Sequence, residues 1–145
     1  MNIEQDNQET VQEPETILFF AYGTLRRGEA LHDLIEKSIV ADLGKSVVKG
    51  ARLHYSRTHR HFPYLVWTGQ IADRAVGEVY ELRLDRDTID MLMMEANAGY
   101  RIVDASAESP DGDLHEVTLC AWPHEHGPQV PLNDWCSTER REWWL

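Results

Sequence analysis

Two stretches contain residues whose types and spacing suit chemistry. The first is Tyr22-Gly23-Thr24-Leu25-Arg26-Arg27-Gly28, and the second is Glu95 in Met94-Glu95-Ala96-Asn97-Ala98-Gly99-Tyr100. A glutamate can take a proton from a reacting group. A glycine directly after an apolar run lets the chain turn tightly and lets a ligand approach the backbone with no Cβ in the way. The N–H groups of Gly23, Thr24 and Leu25 can then converge on an anion or a carbonyl oxygen. Neither the GxxxxGK[ST] nor the GxGxxG spacing occurs, which argues against a nucleotide-phosphate cradle. Taken alone, a strand-glycine-helix connection is more often a plain turn, a helical glutamate more often a surface residue, and Arg26 and Arg27 read as solvated cations.

Histidine offers a different chemistry. His54, His59 and His61, with His124-Glu125-His126, supply imidazoles and a carboxylate suited to zinc or another divalent metal. Their spacing is not diagnostic, since neither HExxH nor a mixed Cys/His ligand set is present. Cys120 and Cys136 are too few for a disulfide framework and are not spaced as zinc ligands. They read as free thiols in a reducing compartment.

Those residues must be positioned by a single domain, because 145 residues suffice for one core and divide poorly into two. With 25 acidic against 14 basic residues, the formal charge of −11 would repel phosphate backbones and anionic membranes. No nucleic-acid or membrane partner is expected. The polar, acidic stretch 1–15 has too little apolar content to pack and reads as a disordered leader before a domain at 16–145. No secretory signal pattern or membrane-length apolar run occurs, so the expected location is cytoplasmic.

The apolar run from Ile17 to Tyr22 predicts a buried strand, and Ala30, Leu31, Leu34 and Ile35 predict a short helix over Glu29 to Lys37. Strands are expected at Val47 to Tyr55, Tyr64 to Trp67, Val76 to Leu82, Tyr100 to Ala107 and His115 to Trp122, with SRTHRHFP a polar loop. Before Tyr100, Asp85 or Asp87 can cap a second helix and Gly99 can end it. Its packed face is expected to hold Ile89, Leu92, Met93 and Ala96, with Glu95 at the flank and partly buried, and Met91, Met93 and Met94 filling gaps. The order β-α-β-β-β-α-β-β favours an α+β domain with a curled sheet or small barrel. The segment after Pro123 predicts no firm element.

In this order, Tyr22 to Gly28, Phe62-Pro63, Gly77-Glu78-Val79-Tyr80, and Glu95 before Tyr100-Arg101 resemble the γ-glutamylcyclotransferase-like family, from about Ile17 to Trp122. The resemblance implies a small mixed β-barrel with flanking short helices. It implies release of an amine or amino acid from a γ-glutamyl group as that group cyclises to 5-oxoproline, with no cofactor and no metal. It further implies that Tyr22, Gly23, Thr24 and Leu25 bind a small γ-glutamyl substrate, that Glu95 accepts the proton, and that Tyr100 makes a supporting contact. Where the family commonly has an aspartate three residues before its glutamate and a glycine directly after it, this chain has Leu92 and Ala96. A non-catalytic binding domain of the same fold and a His-ligated metalloenzyme are the alternative readings.

Overall fold

The computed structural model describes residues 15–55, 63–124 and 127–136. Residues 1–14 of the expected leader, loop residues 56–62, residues 125–126 and the tail 137–145 lie outside the described residues.

Strands β1 (Thr16–Ala21), β2 (Ile39–Lys49), β3 (Ala51–Tyr55), β4 (Pro63–Trp67), β5 (Arg74–Arg83), β6 (Arg101–Glu108) and β7 (Leu114–Ala121) share one sheet. Within it, β1-β5-β2-β6-β7 pair in sequence, and β7 returns to β1 through a parallel pairing at Phe19 and Thr118. That closure makes a five-stranded mixed barrel, and closing the sheet pairs what would otherwise be open edges. The hairpin β3-β4 extends from β7 through a second parallel pairing at Leu65 and Ala121. One α-helix, α1 (Arg86–Ala98), lies between β5 and β6.

The continuous apolar run in β1 follows from burial on both faces, as in a strand covered on each side. Phe20 faces the barrel interior with Val48, Leu65, Val79, Val117, Leu119, Val130 and Trp135. Phe19 and Ala21 face outward into a second core with Ile35, Tyr80, Leu82, Met91 and Cys120. Gly77 permits the fit at the end of β1, because a Cβ there would stand 2.6 Å from the Ala21 carbonyl oxygen and 2.7 Å from the Phe20 ring.

Three expectations need correction. The segment over Glu29 to Lys37 is not an α-helix but two 3₁₀ turns, His32–Leu34 and Glu36–Ser38, neither with a side-chain cap. Nine uncapped residues are too few to sustain an α-helix without packing, and the tighter turns bury His32, Ile35 and Ser38 together. The expected strand Val47 to Tyr55 is divided at Gly50, whose φ of +80° turns the chain between β2 and β3. Finally, of the residues expected on the packed face of α1, Leu92 packs against the second core but Ile89, Met93 and Ala96 do not. Thr88 and Met91 are buried with Leu92 and Glu95 half-buried beside them, while Ile89, Met93 and Ala96 are exposed. Asp85 contributes to this rotation: as N-cap it accepts the Thr88 N–H and a bond from the Ser38 hydroxyl, so it helps set Thr88 inward and, one and two turns on, Met91 and Glu95.

Candidate active site

The end of β1, the loop after it, the C-terminal half of α1, Pro63 and β7 enclose a cavity of about 200 Å³. Its lining includes Tyr22, Gly23, Thr24, Leu25, Glu95 and Tyr100, so the fold brings every residue of the expected site together. Phe19, Ala21, Leu31, Pro63, Met94, Ala98 and Cys120 complete most of the wall.

The loop folds on its own carbonyls. Arg26 N–H donates to the Gly23 carbonyl (3.0 Å), Leu31 N–H to the Thr24 carbonyl (2.8 Å), and His32 Nδ1–H to the Leu25 carbonyl (2.8 Å). Among the described residues, the loop leaves the N–H groups of Gly23, Thr24 and Leu25 without a protein acceptor.

Gly23 is required for a reason other than the expected approach of a ligand. A Cβ at Gly23 would lie 2.6 and 2.7 Å from Cγ and Cδ of Pro63. The proline ring occupies the place of the missing side chain and joins β4 to the loop. Arg26 also departs from expectation: it is not a solvated cation but 5% exposed, with Nη1 donating to Asp134 (2.7 Å) and Nη2 to Glu78 (3.2 Å). Arg27 is exposed and pairs with Asp42 at 2.6 Å.

Glu95 reaches the cavity from the packed face of α1. The helix ends at Gly99, whose φ of +113° is left-handed, and Tyr100 N–H donates back to the Glu95 carbonyl at 3.1 Å. This reversal returns Tyr100 to the cavity beside Glu95. Among the described residues, no donor or cation meets the Glu95 carboxylate, and burial alone raises its pKa above the ordinary value.

The other titratable groups of the wall are held neutral. Tyr22 donates its hydroxyl to the Cys120 carbonyl, and Tyr100 donates to the Pro63 carbonyl at 3.0 Å. Burial first, then neighbouring ionisable groups, pushes the pKa of Tyr22, Tyr100 and Cys120 well up. Glu95 is thus the carboxylate in this wall, its pKa raised by burial against a surface otherwise largely apolar.

Sequence reasoning did not assign Cys120 or Met94 to the site. Cys120 reaches the cavity because β7 pairs with β1, which no local spacing signals. Met94 was expected as core filling, yet it is 40% exposed at the cavity's rim. Neither cysteine is in a disulfide.

The histidines are used otherwise where they are described. His54 Nδ1–H donates to the Gly127 carbonyl (2.8 Å), and the His124 ring packs edge-on against Trp122. His59, His61, Glu125 and His126 lie outside the described residues. Among the described residues, no three metal-ligating side chains gather. No helix there is long and apolar enough to cross a membrane.

Comparison with known proteins agrees with this fold. The family model described as Gamma-glutamyl cyclotransferase, AIG2-like matches residues 19–137. No protein of curated function matches the sequence. Among solved structures, the uncharacterized protein PH0828 from Pyrococcus horikoshii superposes with a TM-score of 0.62 at 23% identity, over 88% of this chain and 94% of that one. An aig2-like protein from Mus musculus gives a TM-score of 0.62 at 20% identity, over 75% and 78% of the two chains. A structure named gamma-glutamyl cyclotransferase gives 0.62 at 18% identity, over 81% and 73%. At these identities the structural likeness is one of fold.

Proposed function

The chain belongs to the Gamma-glutamyl cyclotransferase, AIG2-like family, and from that membership and the cavity we propose that it releases an amine or amino acid from a small γ-glutamyl compound by cyclising the glutamyl group to 5-oxoproline. One observation carries the reading. Glu95, a carboxylate with a pKa raised by burial and no partner among the described residues, lines the same cavity as a loop whose three N–H groups meet no acceptor among those residues.

The chemistry needs those two features. The substrate's α-amine is the nucleophile and its γ-carbonyl the electrophile, but an ammonium has no lone pair. Glu95 takes one proton from it. With ordinary values near 4.3 for a glutamate and about 7.7–8.0 for an α-amine, that transfer is uphill by about 3.5 pK units, or about 5 kcal/mol. Burial of Glu95 narrows the gap.

The amine nitrogen then bonds to the γ-carbon, and negative charge collects on the carbonyl oxygen. The N–H groups of Gly23, Thr24 and Leu25 are suited to meet that charge. Collapse of the adduct breaks the original C–N bond as the departing amine takes the proton held by Glu95. The ring nitrogen sheds its second proton to become the lactam N–H, and that proton leaves through Glu95 with the amine as an ammonium. The products are 5-oxoproline and the released amine. Because both reacting groups belong to one molecule, the cavity's main work is holding the glutamyl chain curled for attack. No nucleophilic side chain enters the scheme, and Cys120, its thiol pKa driven up by burial, takes no part as a nucleophile. Two cysteines outside any disulfide also suit the reducing cytoplasm proposed as its location.

The test is incubation with a panel comprising glutathione, γ-glutamyl amino acids, γ-glutamyl-ε-lysine and simple γ-glutamylamines, with 5-oxoproline as the readout. Formation of 5-oxoproline from at least one of them is expected. Binding without turnover across the panel would instead favour a non-catalytic binding domain.

A further inference from the structure

We propose that Arg26, held between Glu78 and Asp134, is a positioning residue that sets the substrate loop's affinity, so that β5 and the C-terminal segment 127–136 act on a cavity they do not line. This rests on the assignment of the loop as the binding element.

Arg26 directly follows Leu25, and its N–H closes the turn onto the Gly23 carbonyl. Its backbone therefore belongs to the ligand-facing loop while its side chain runs away from the cavity. A guanidinium presents a rigid fork able to serve two carboxylates at once, which an ammonium on a flexible stem does poorly. Asp134 Oδ1 accepts from Arg26 Nη1 and also from Cys136 N–H at 3.0 Å, so the same oxygen orders the C-terminal segment and the loop. Glu78 accepts from Arg26 Nη2, is bonded by the Tyr80 hydroxyl, and lies 3.3 Å from Arg27 N–H. The Tyr80 oxygen also accepts from Arg27 N–H at 2.8 Å.

A further tie runs parallel to these. Trp135, itself 1% exposed, donates its indole N–H to Glu29 at 3.1 Å. Consecutive residues Asp134 and Trp135 thus grip Arg26 and Glu29, one turn of chain apart and joined by the Glu29 N–H to Arg26 carbonyl bond. A surface ion pair would contribute little here, but Arg26 is almost fully buried, so its fork cannot exchange carboxylates for water without the loop moving.

Asp134→Asn and Glu78→Gln keep side-chain shape and remove the charge. Each should raise KM by on the order of tenfold, the usual worth of a hydrogen bond to a charged group, and leave kcat within about threefold, because Glu95 stands on α1. Hydrogen exchange supplies a readout independent of turnover. The amides of Arg26, Glu29 and Leu31 should exchange faster in both variants while those of α1 keep the parent's rates. Glu108→Gln, which breaks the Lys49 pair and lines no part of the cavity, is the control for a merely structural ion pair and should leave KM unmoved.

Parental KM in both variants, or parental exchange at Arg26, Glu29 and Leu31, would overturn the proposal, as would a fall in kcat with KM unchanged. If Asp134→Asn proves unfolded, Glu78→Gln carries the same test. A parent that forms no 5-oxoproline from any compound defeats the underlying reading instead, and the exchange measurement still decides whether Arg26 positions the loop.

Discussion

Replacing Glu95 with glutamine tests the proposed base with the least disturbance to its surroundings. The amide has nearly the same shape and helix preference, and the carboxylate has no hydrogen bond among the described residues to lose. Turnover should fall by about 10²–10⁴, the usual contribution of a general base, or about 3–5 kcal/mol of barrier. The loss should not be masked by a substitute, since Tyr22, Tyr100 and Cys120 all have pKa values driven upward and offer no anion at neutral pH. Stability should move the other way. A carboxyl whose folded pKa is raised contributes stability that is complete below its unfolded pKa and is lost as pH rises through the folded value, so at neutral pH the ionised Glu95 is a burden. Glu95→Gln should therefore melt at or slightly above the parent's temperature near neutrality, and the difference should close as pH falls below the ordinary carboxylate range. The assays are 5-oxoproline formation and thermal melts across that pH span. A folded variant with turnover within about threefold of the parent would remove Glu95 from the mechanism. A melt difference that ignores pH would refute the burial argument.

Other outcomes follow from the same wall. Gly23→Val should weaken γ-glutamyl binding and lower stability by about 1–3 kcal/mol, because its Cβ would overlap the Pro63 ring; a variant with parental melting and parental affinity would sink that account. Tyr100→Phe removes the hydroxyl that meets the Pro63 carbonyl and should cost about 0.5–1.5 kcal/mol in stability together with part of kcat/KM, measured by denaturant melts and steady-state kinetics. The acid limb of the kcat/KM profile should lie above an ordinary glutamate's pKa in the parent, and a limb at the ordinary value would contradict the desolvation of Glu95. Exhaustive chelation should leave turnover intact, whereas loss restored by zinc would move the chemistry to the histidines.

Much of the frame was legible because its causes are local. Burial of β1 on both faces appears in the chain as an unbroken apolar run, and Asp85 and Gly99 mark the ends of α1 by the chemistry of their own termini. The rotation of α1 was misread because Ile89, Met93 and Ala96 form an apolar set at helical spacing too. Thr88 and Met91 are turned inward by contacts the helix alone does not signal: the Ser38 hydroxyl on Asp85 from 47 residues away, the Thr88 hydroxyl on the Arg83 carbonyl, and the packing of Met91 and Leu92 into the second core. The short 3₁₀ turns after the loop likewise look helical in pattern, and only packing of Ile35 and His32 shows that the chain tightens there.

The sequence by itself determined which residues were candidates: a glycine-bearing loop at a strand end, a glutamate one turn before a helix-ending glycine, and the tyrosine after it. Tertiary structure decided what each one meets. Tyr22 bonds to Cys120 across 98 positions, Tyr100 to Pro63 across 37, and Arg26 to Asp134 across 108. Each of those pairings depends on closing the barrel through β7 or folding the C-terminal segment against the loop. Such closures bring together residues whose partners are set by sheet register and core shape rather than by helical or strand spacing, so no window of neighbouring residues carries their signal.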